Sequence, residues 1–371
     1  MRAMLRPVIP LLFVAFGVFL AGCAPLSRPG QGPPPDVDLT PAPVVARATP
    51  PAPAVAPPPS PVAAPVPVVP PETWLDLGAW AATNQVGRLT VLTAGNGRNP
   101  PQFSFATPRG QWVLQADSEL SRWEGLEIRL GFPPQARNGA LWLHRLDVEK
   151  NLLPLLAEPW TPTNGARRLI VIDPGHGGGD SGTRSALPGR LEKDYTLDWA
   201  LRLRPLLEAR GWQVVLTRTN DADVSLPARV AIAEAAGADV FVSLHFNAAN
   251  GSGHAGVETY CLTPSGMPSN LARSYEDNAA LTFPNNRFDT ANLQLAVRLH
   301  RELLATAGGP DRGVRRARFM TVLRGQNRPA VLLEAGYLSN PAEAERIHQP
   351  EYRQRLAEAV ARGVGAVIRE D

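Results

Sequence analysis

Cysteine is all but missing from this chain. Cys23 and Cys261 are the only two in 371 residues, and their unrelated contexts exclude a disulfide framework. Cys261 has no CxxC partner and no basic motif beside it, so VETYCL reads as a strand holding a small buried residue. No apolar run reaches the roughly 20 residues of a membrane-spanning helix; the longest, Val8 to Gly22, is about 15. Lysine and arginine never gather into a patch with interleaved aromatics, and Arg2 and Arg6 account for much of the formal net charge of +3. Nucleic acid is therefore excluded as a partner. The GxGxxG spacing of a dinucleotide fold is missing, as is a glycine loop ending in Lys-Ser/Thr.

Proline, by contrast, is abundant, with 39 in the chain. Of these, 18 fall within 24–71, where PAPAVAPPPSPVAAPVPVVPP excludes helix and central strand because proline lacks an N–H and fixes φ. The segment is expected to be an extended tether reaching at most roughly 150 Å. Ahead of it, residues 1–23 have the layout of a secretory leader: arginines, an apolar run, then small residues. Leu20-Ala21-Gly22-Cys23 resembles the bacterial lipobox. That resemblance implies lipidation of Cys23 and a lipid-anchored, periplasm-facing protein of the cell envelope. Ala24, in place of aspartate, points to the outer membrane. An ordinary secreted protein cut nearby is the alternative.

From Glu72 the composition changes. Tryptophans appear at positions 74, 80, 112, 123 and 142, and segments 88–94, 111–116, 125–132 and 140–147 alternate apolar and polar residues. That period of two predicts half-buried strands in a small β-rich domain over 72–158. It has no cluster of His, Cys, Asp or Glu at ligand spacing, and His144 reads as structural. LEIRLGFPP followed by a tryptophan strand loosely resembles the stalk-like repeats that precede some cell-wall enzymes; substrate binding and inert spacing both fit.

Residues 167–371 alternate strand and helix patterns: strands over 168–173, 212–217, 238–244, 256–262 and 329–336, helices over 193–210, 228–236, 292–307 and 350–368. This predicts an α/β domain, a mostly parallel, open, twisted sheet with helices on both faces. Such sheets place their sites at the carboxyl ends of the strands. His176, Glu192, His245 and Glu334 all fall at that rim.

The loop DPGHGGGDSG (173–182) poses a choice between phosphate and metal. Asp180 would repel phosphate, and no helical period follows. Zinc fits better, since a catalytic zinc takes three protein ligands, commonly two His and one Glu, and keeps one position for water. His176, Glu192 and His245 supply that set. Glu334, ending an apolar strand where burial would raise its pKa, is the candidate general base. Asp173, Asp180 and Arg218 read as loop-fixing residues. His254, His300 and His348 read as structural or solvated, and Asn247 as a substrate contact.

These motifs resemble one family. DPGHGGGDSG, LEKDYTL, SLHFNA and PAVLLEAGYLSNPAE, with LTRTND, GVETY and RGVRRARFMTVLR between them, look like a zinc-dependent N-acetylmuramoyl-L-alanine amidase of the amidase-3 type, over about 167–369. The resemblance implies that His176, Glu192 and His245 bind zinc, that Glu334 is catalytic, and that peptidoglycan is cut between N-acetylmuramic acid and L-alanine. Two other functions remain open at this point: a non-catalytic envelope protein that binds peptidoglycan or a partner, and a zinc peptidase of the stem peptide. The sequence does not say whether a protein activator is needed. The polar segment 262–291 is expected to shape or partly gate the substrate groove.

Overall fold

The computed structural model describes residues 67–96, 98–162, 168–271 and 277–365. The leader with Cys23, and the tether up to residue 66, lie outside them. The described residues all fall within one compact unit.

The β-rich part opens with β1 (Trp74–Asp76) and α1 (Leu77–Asn84), whose first turn is capped by the Asp76 side chain accepting from Ala79 N. Then come β2 (Arg88–Thr93), β3 (Gln102–Thr107), β4 (Gly110–Gln115), β5 (Leu120–Trp123), β6 (Leu126–Arg129), β7 (Gln135–Arg137) and β8 (Ala140–His144). Strands β2 to β6 form an antiparallel meander, while β1, β8 and β7 form a separate three-stranded sheet. The alternation legible in the sequence sets the faces. Trp112, Leu114 and Trp123 point into the core, and Gln111 and Arg122 point out. The last pattern overruns its strand, because β8 stops at His144 and the chain turns helical through α2 (Arg145–Asp147), a π-turn (Val148–Leu152) and α3 (Leu153–Leu156).

The α/β part follows as β9 (Leu169–Pro174), α4 (Glu192–Glu208), β10 (Gln213–Leu216), α5 (Leu226–Ala236), β11 (Val240–Asn247), β12 (Val257–Cys261), α6 (Asp289–Ala307), β13 (Asp311–Arg316), α7 (Thr321–Arg324), β14 (Ala330–Tyr337), α8 (Pro341–His348) and α9 (Pro350–Val364). Strand β9 is buried along its whole length, as a continuous Leu-Ile-Val-Ile run covered on both faces must be. It pairs in parallel with β10 and β11, and β11 with β14. Strand β12 departs from the parallel expectation by running antiparallel to β14. Helices α4, α6 and α9 pack on one face, and α5 and α7 on the other.

The two parts share one sheet. Its order is β10-β9-β11-β14-β12-β13-β6-β5-β4-β3-β2, eleven strands with a parallel seam at Val314↔Ile128. The chain changes from antiparallel to α/β connectivity near residue 158, but the sheet does not break there. Side chains close the seam. Asp311 Oδ2 accepts from Glu127 N (2.8 Å), while its Oδ1 lies 2.9 Å from His300 Nε2. Lys150 pairs with Asp289 (3.0 Å), and Arg316 donates to the Lys150 carbonyl (2.8 Å).

Candidate metal centre

At the carboxyl end of β9 the backbone turns out of the sheet through Gly175, His176 and Gly177. His176 holds a left-handed φ of +62°, a conformation that disfavours a side chain by roughly 1–2 kcal/mol. The surroundings impose it. Arg229 donates to the His176 carbonyl (2.8 Å), and Gly177 and Asp180 exchange backbone hydrogen bonds across a tight turn. Arg229 also binds Asp173 (2.6 Å), whose carboxylate accepts from Thr217 and Ser243. Arg218 donates to the carbonyls of Pro174, Gly175 and Lys193. The buried charges below the loop thus hold its backbone in place.

Three side chains converge above. Glu192 opens α4; its Oε2 lies 3.2 Å from His176 Nε2 and its Oε1 lies 3.0 Å from His245 Nδ1. One nitrogen or oxygen from each of the three falls within 4.8 Å of the others. The same carboxylate accepts from Thr183 N (2.9 Å) and Phe246 N (3.0 Å), which fixes its orientation. Asp180 lies 2.8 Å from His176 Nδ1 and so turns Nε2 toward the cluster. Two glycines clear the space. A Cβ on Gly175 would sit 2.2 Å from the His245 ring, and one on Gly182 would sit 2.6 Å from His176 and 2.7 Å from Glu192.

The electrostatics favour a cation here. Burial alone would lower the His176 imidazole, but hydrogen bonds and charge from Glu192 and Asp180 outweigh it and raise the ring to about 9. Burial would raise Glu192, yet the two histidines hold it well below the usual carboxylate range. The two contacts use different oxygens of Glu192, and one donor atom from each of the three residues lies within 4.8 Å of the others, close enough for a shared cation.

Glu334 lies in β14 directly opposite His245 on β11, and opposite Glu258 on β12. Aligned residues share a face, so these three side chains form a row across neighbouring strands. Two positional expectations change. The strands run on to Asn247 and Tyr337, so His245 and Glu334 lie inside them rather than at their ends. Asn247 is half-buried, with its Nδ2 donating to Glu258 (2.9 Å) and its Oδ1 accepting from Ala248 N (2.8 Å).

The family model for N-acetylmuramoyl-L-alanine amidases of the amidase-3 type matches residues 170–366. The chain belongs to this family. The amidase AmiC of Neisseria meningitidis is 35% identical over 243 residues, 60% of this chain and 57% of that protein. LytC of Bacillus subtilis is 35% identical over 201 residues, 54% of this chain and 35% of that one. The chain thus spans between 35% and 57% of the length of these two relatives. Among solved structures, the amidase AmiC2 of Nostoc punctiforme is 36% identical, with a TM-score of 0.44, over 54% of this chain and 97% of that one.

Within this amidase-3 domain, pattern alone does not single out Arg229, Glu258, Tyr260, Tyr337 or Arg312. Arg229 braces the loop from α5. Glu258, 3% exposed, accepts from Tyr260 OH (2.6 Å), Tyr337 OH (2.9 Å) and Asn247. Arg312 stacks on Tyr337. Only strand register could have placed Glu258 and the side chains on it beside Glu334. The described parts of the segment 262–291 are fixed away from the metal centre. Asn285 donates to the carbonyl of Arg328, ahead of β14, Asn286 donates to that of Thr263, and Asp277 pairs with Arg318. Because β12 runs antiparallel to β14, this segment leaves the sheet upstream of Glu334, so these parts build no lid over His176 and His245.

Proposed function

We propose that the domain is a zinc-dependent peptidoglycan hydrolase that cuts the amide between N-acetylmuramic acid and L-alanine. The observation that carries this is the two-histidine, one-glutamate cluster with a further glutamate, Glu334, in register beside it. His176, Glu192 and His245 would hold the ion. When bound, zinc supplies Lewis acidity toward a carbonyl and makes water a usable nucleophile at neutral pH. The chain supplies the rest. Asp180 fixes the tautomer of His176, Glu192 is locked by two backbone N–H groups, and the glycines leave room for the three ligand side chains. Glu334 takes the proton from the attacking water and delivers it to the leaving alanine amine.

Lipidation at Cys23 would place this activity in the bacterial envelope, facing the periplasm and reaching the wall on its tether. Among the described residues no helix is long and apolar enough to cross a membrane. The test is a digest of purified peptidoglycan with zinc, with chelator and with Glu334→Gln, read by mass spectrometry. Free stem peptides beginning at L-alanine are expected from the zinc-loaded wild type alone. Shortened stems still attached to sugar would make it a peptidase, and no release despite bound zinc would sink the hydrolase reading.

A further inference from the structure

Beyond the cluster, the face of the sheet that carries His245 and Glu334 continues across β12 to β13. Two arginines stand there, and their surroundings differ. Arg315 lies 3.6 Å from Glu258, which compensates it. Arg312 has no such partner: among the described residues it makes no ion pair. Its guanidinium is nonetheless held. Nε donates to the carbonyl of Ala255, Nη2 lies 3.4 Å from His254 Nδ1, and the group stacks 5.0 Å from the centroid of the Tyr337 ring. Tyr337 is itself fixed, with its hydroxyl on Glu258, the cross-strand neighbour of Glu334. A half-buried, preorganised arginine without an acid, tied through two side chains to the reacting row, is arranged to receive an anion.

The distance suits the substrate. Strand β13 lies two strands from β14, about 10 Å across the sheet at roughly 4.8 Å per strand. An extended peptide advances about 3.3–3.6 Å per residue, so two or three residues past the cut amide span that gap. In the stem peptide, the residue after alanine is a glutamate joined through its side chain, which leaves its α-carboxylate free. We propose that Arg312 is a specificity residue that clamps this carboxylate, with His254 and Tyr337 setting the angle of the guanidinium. The inference rests on the amidase reading of the site.

The test is calorimetric titration of the full chain with two probes: the tripeptide L-alanyl-γ-D-glutamyl-diaminopimelate, and the same peptide with the glutamate α-carboxylate amidated. The wild type should bind the free acid about tenfold more tightly, as a charge-assisted two-pronged bond implies. Arg312→Ala should weaken the acid to the level of the amide and leave the amide unchanged, with Arg312→Lys falling between. The amide probe guards against a misfolded variant, which would lose both ligands. Equal loss on both probes, in a variant whose circular dichroism matches the wild type, would reduce Arg312 to packing on Tyr337. No loss on either, no preference in the wild type, or no binding of either peptide would each overturn the clamp. A wild type that shows the preference yet releases no stem peptide from peptidoglycan counts against the hydrolase reading and not against the clamp.

Discussion

Beneath the carboxyl end of β9, buried polar side chains from β9, the chain after β10, and α5 serve a loop. Asp173, Arg218 and Arg229 sit under the backbone of residues 174–177 and hold His176 in a left-handed turn. Along β4 to β8 the buried polar side chains close the fold on itself. Trp112 donates to Ser121 (2.9 Å), Ser121 to the carbonyl of Ile128 (2.7 Å), and Asp147 caps the N–H groups of Gly131 and Phe132. Both halves thus satisfy buried groups and share one sheet, yet only one of the two networks holds a loop that carries a cluster residue. What separates a site from a scaffold here is what the network holds: in the α/β half it fixes the loop backbone that carries His176 to the cluster, and in the β-rich half it joins the meander to the turn before β7.

The sharpest way to break this comparison is to change one oxygen in the row beside the cluster. Glu334→Gln should keep the fold and the metal while lowering kcat by about 10²- to 10⁴-fold, the usual worth of a general acid–base. Circular dichroism and bound-zinc analysis check that the loss is chemical. An equal drop from Gln substitution of Glu127, a buried carboxylate of β6, would erase the distinction between the halves.

The next largest effect is expected from space rather than charge. Gly175→Ala would drive a methyl into the His245 ring, so bound zinc should fall well below one equivalent and activity with it. The same cluster carries a pH signature. In the metal-free protein His176 is raised to about 9 from 6.5, so its contribution to stability is full below about 6.5 and is lost as the pH rises toward 9. Metal needs the neutral ring, so the zinc-loaded form gains over the same interval. The Tm difference between zinc-loaded and chelated protein should therefore widen from pH 6.5 to 9. A constant difference would mean that His176 is not a ligand.

How much of this was legible depends on how local each signal is. His176 and His245 stand in short, distinctive strings in or just after strongly apolar strands, and Glu192 in one that opens a helix, so both the α/β class and the cluster could be read from the chain. Glu258 could not. Its string GVETY shows a strand with one acid in it, and only the register against β14 places that acid beside Glu334. Strand β13 escaped for a different reason. DRGVRR holds a single large apolar residue, and Gly313 adopts φ +90°, near where the pairing with β12 shifts register. The seam between the halves rests on one bridge, Val314↔Ile128, between residues far apart in the chain, which no periodicity encodes. Helix α1 was hidden because LGAWAATN is too short to show a period.

In the β-rich half the largest expected effect is on stability alone. Asp147 is fully buried, and burial pushes its carboxyl up to about 7, with the bonds from Gly131, Phe132 and Asn151 pulling it part of the way back. Asp147→Ala leaves two buried N–H groups unpaired and should destabilise by about 3 kcal/mol. The folded pKa lies above the unfolded one, so this group's contribution is greatest below about pH 4 and declines toward pH 7. Urea midpoints at pH 4.5 and 7.5 should differ less in Asp147→Asn than in the wild type. Peptidoglycan release by folded Asp147→Asn should match the wild type, because nothing in this network faces the substrate.

The smallest effect belongs to the far edge of the sheet. Strand β2 has no neighbour beyond it among the described residues, and Val91 and Leu92 are 55% and 50% exposed there. Their side chains bury little, so Val91→Lys should shift the urea midpoint by no more than about 0.5 kcal/mol equivalent. Its effect on association should be the larger one. An exposed apolar edge can pair with another chain, and a lysine on that edge opposes the pairing. Light scattering at rising protein concentration should show less self-association in Val91→Lys than in the wild type, with zinc content unchanged. A change in zinc content would mean that the two ends of the eleven-stranded sheet are coupled, and the division between site and scaffold would then have to be redrawn strand by strand.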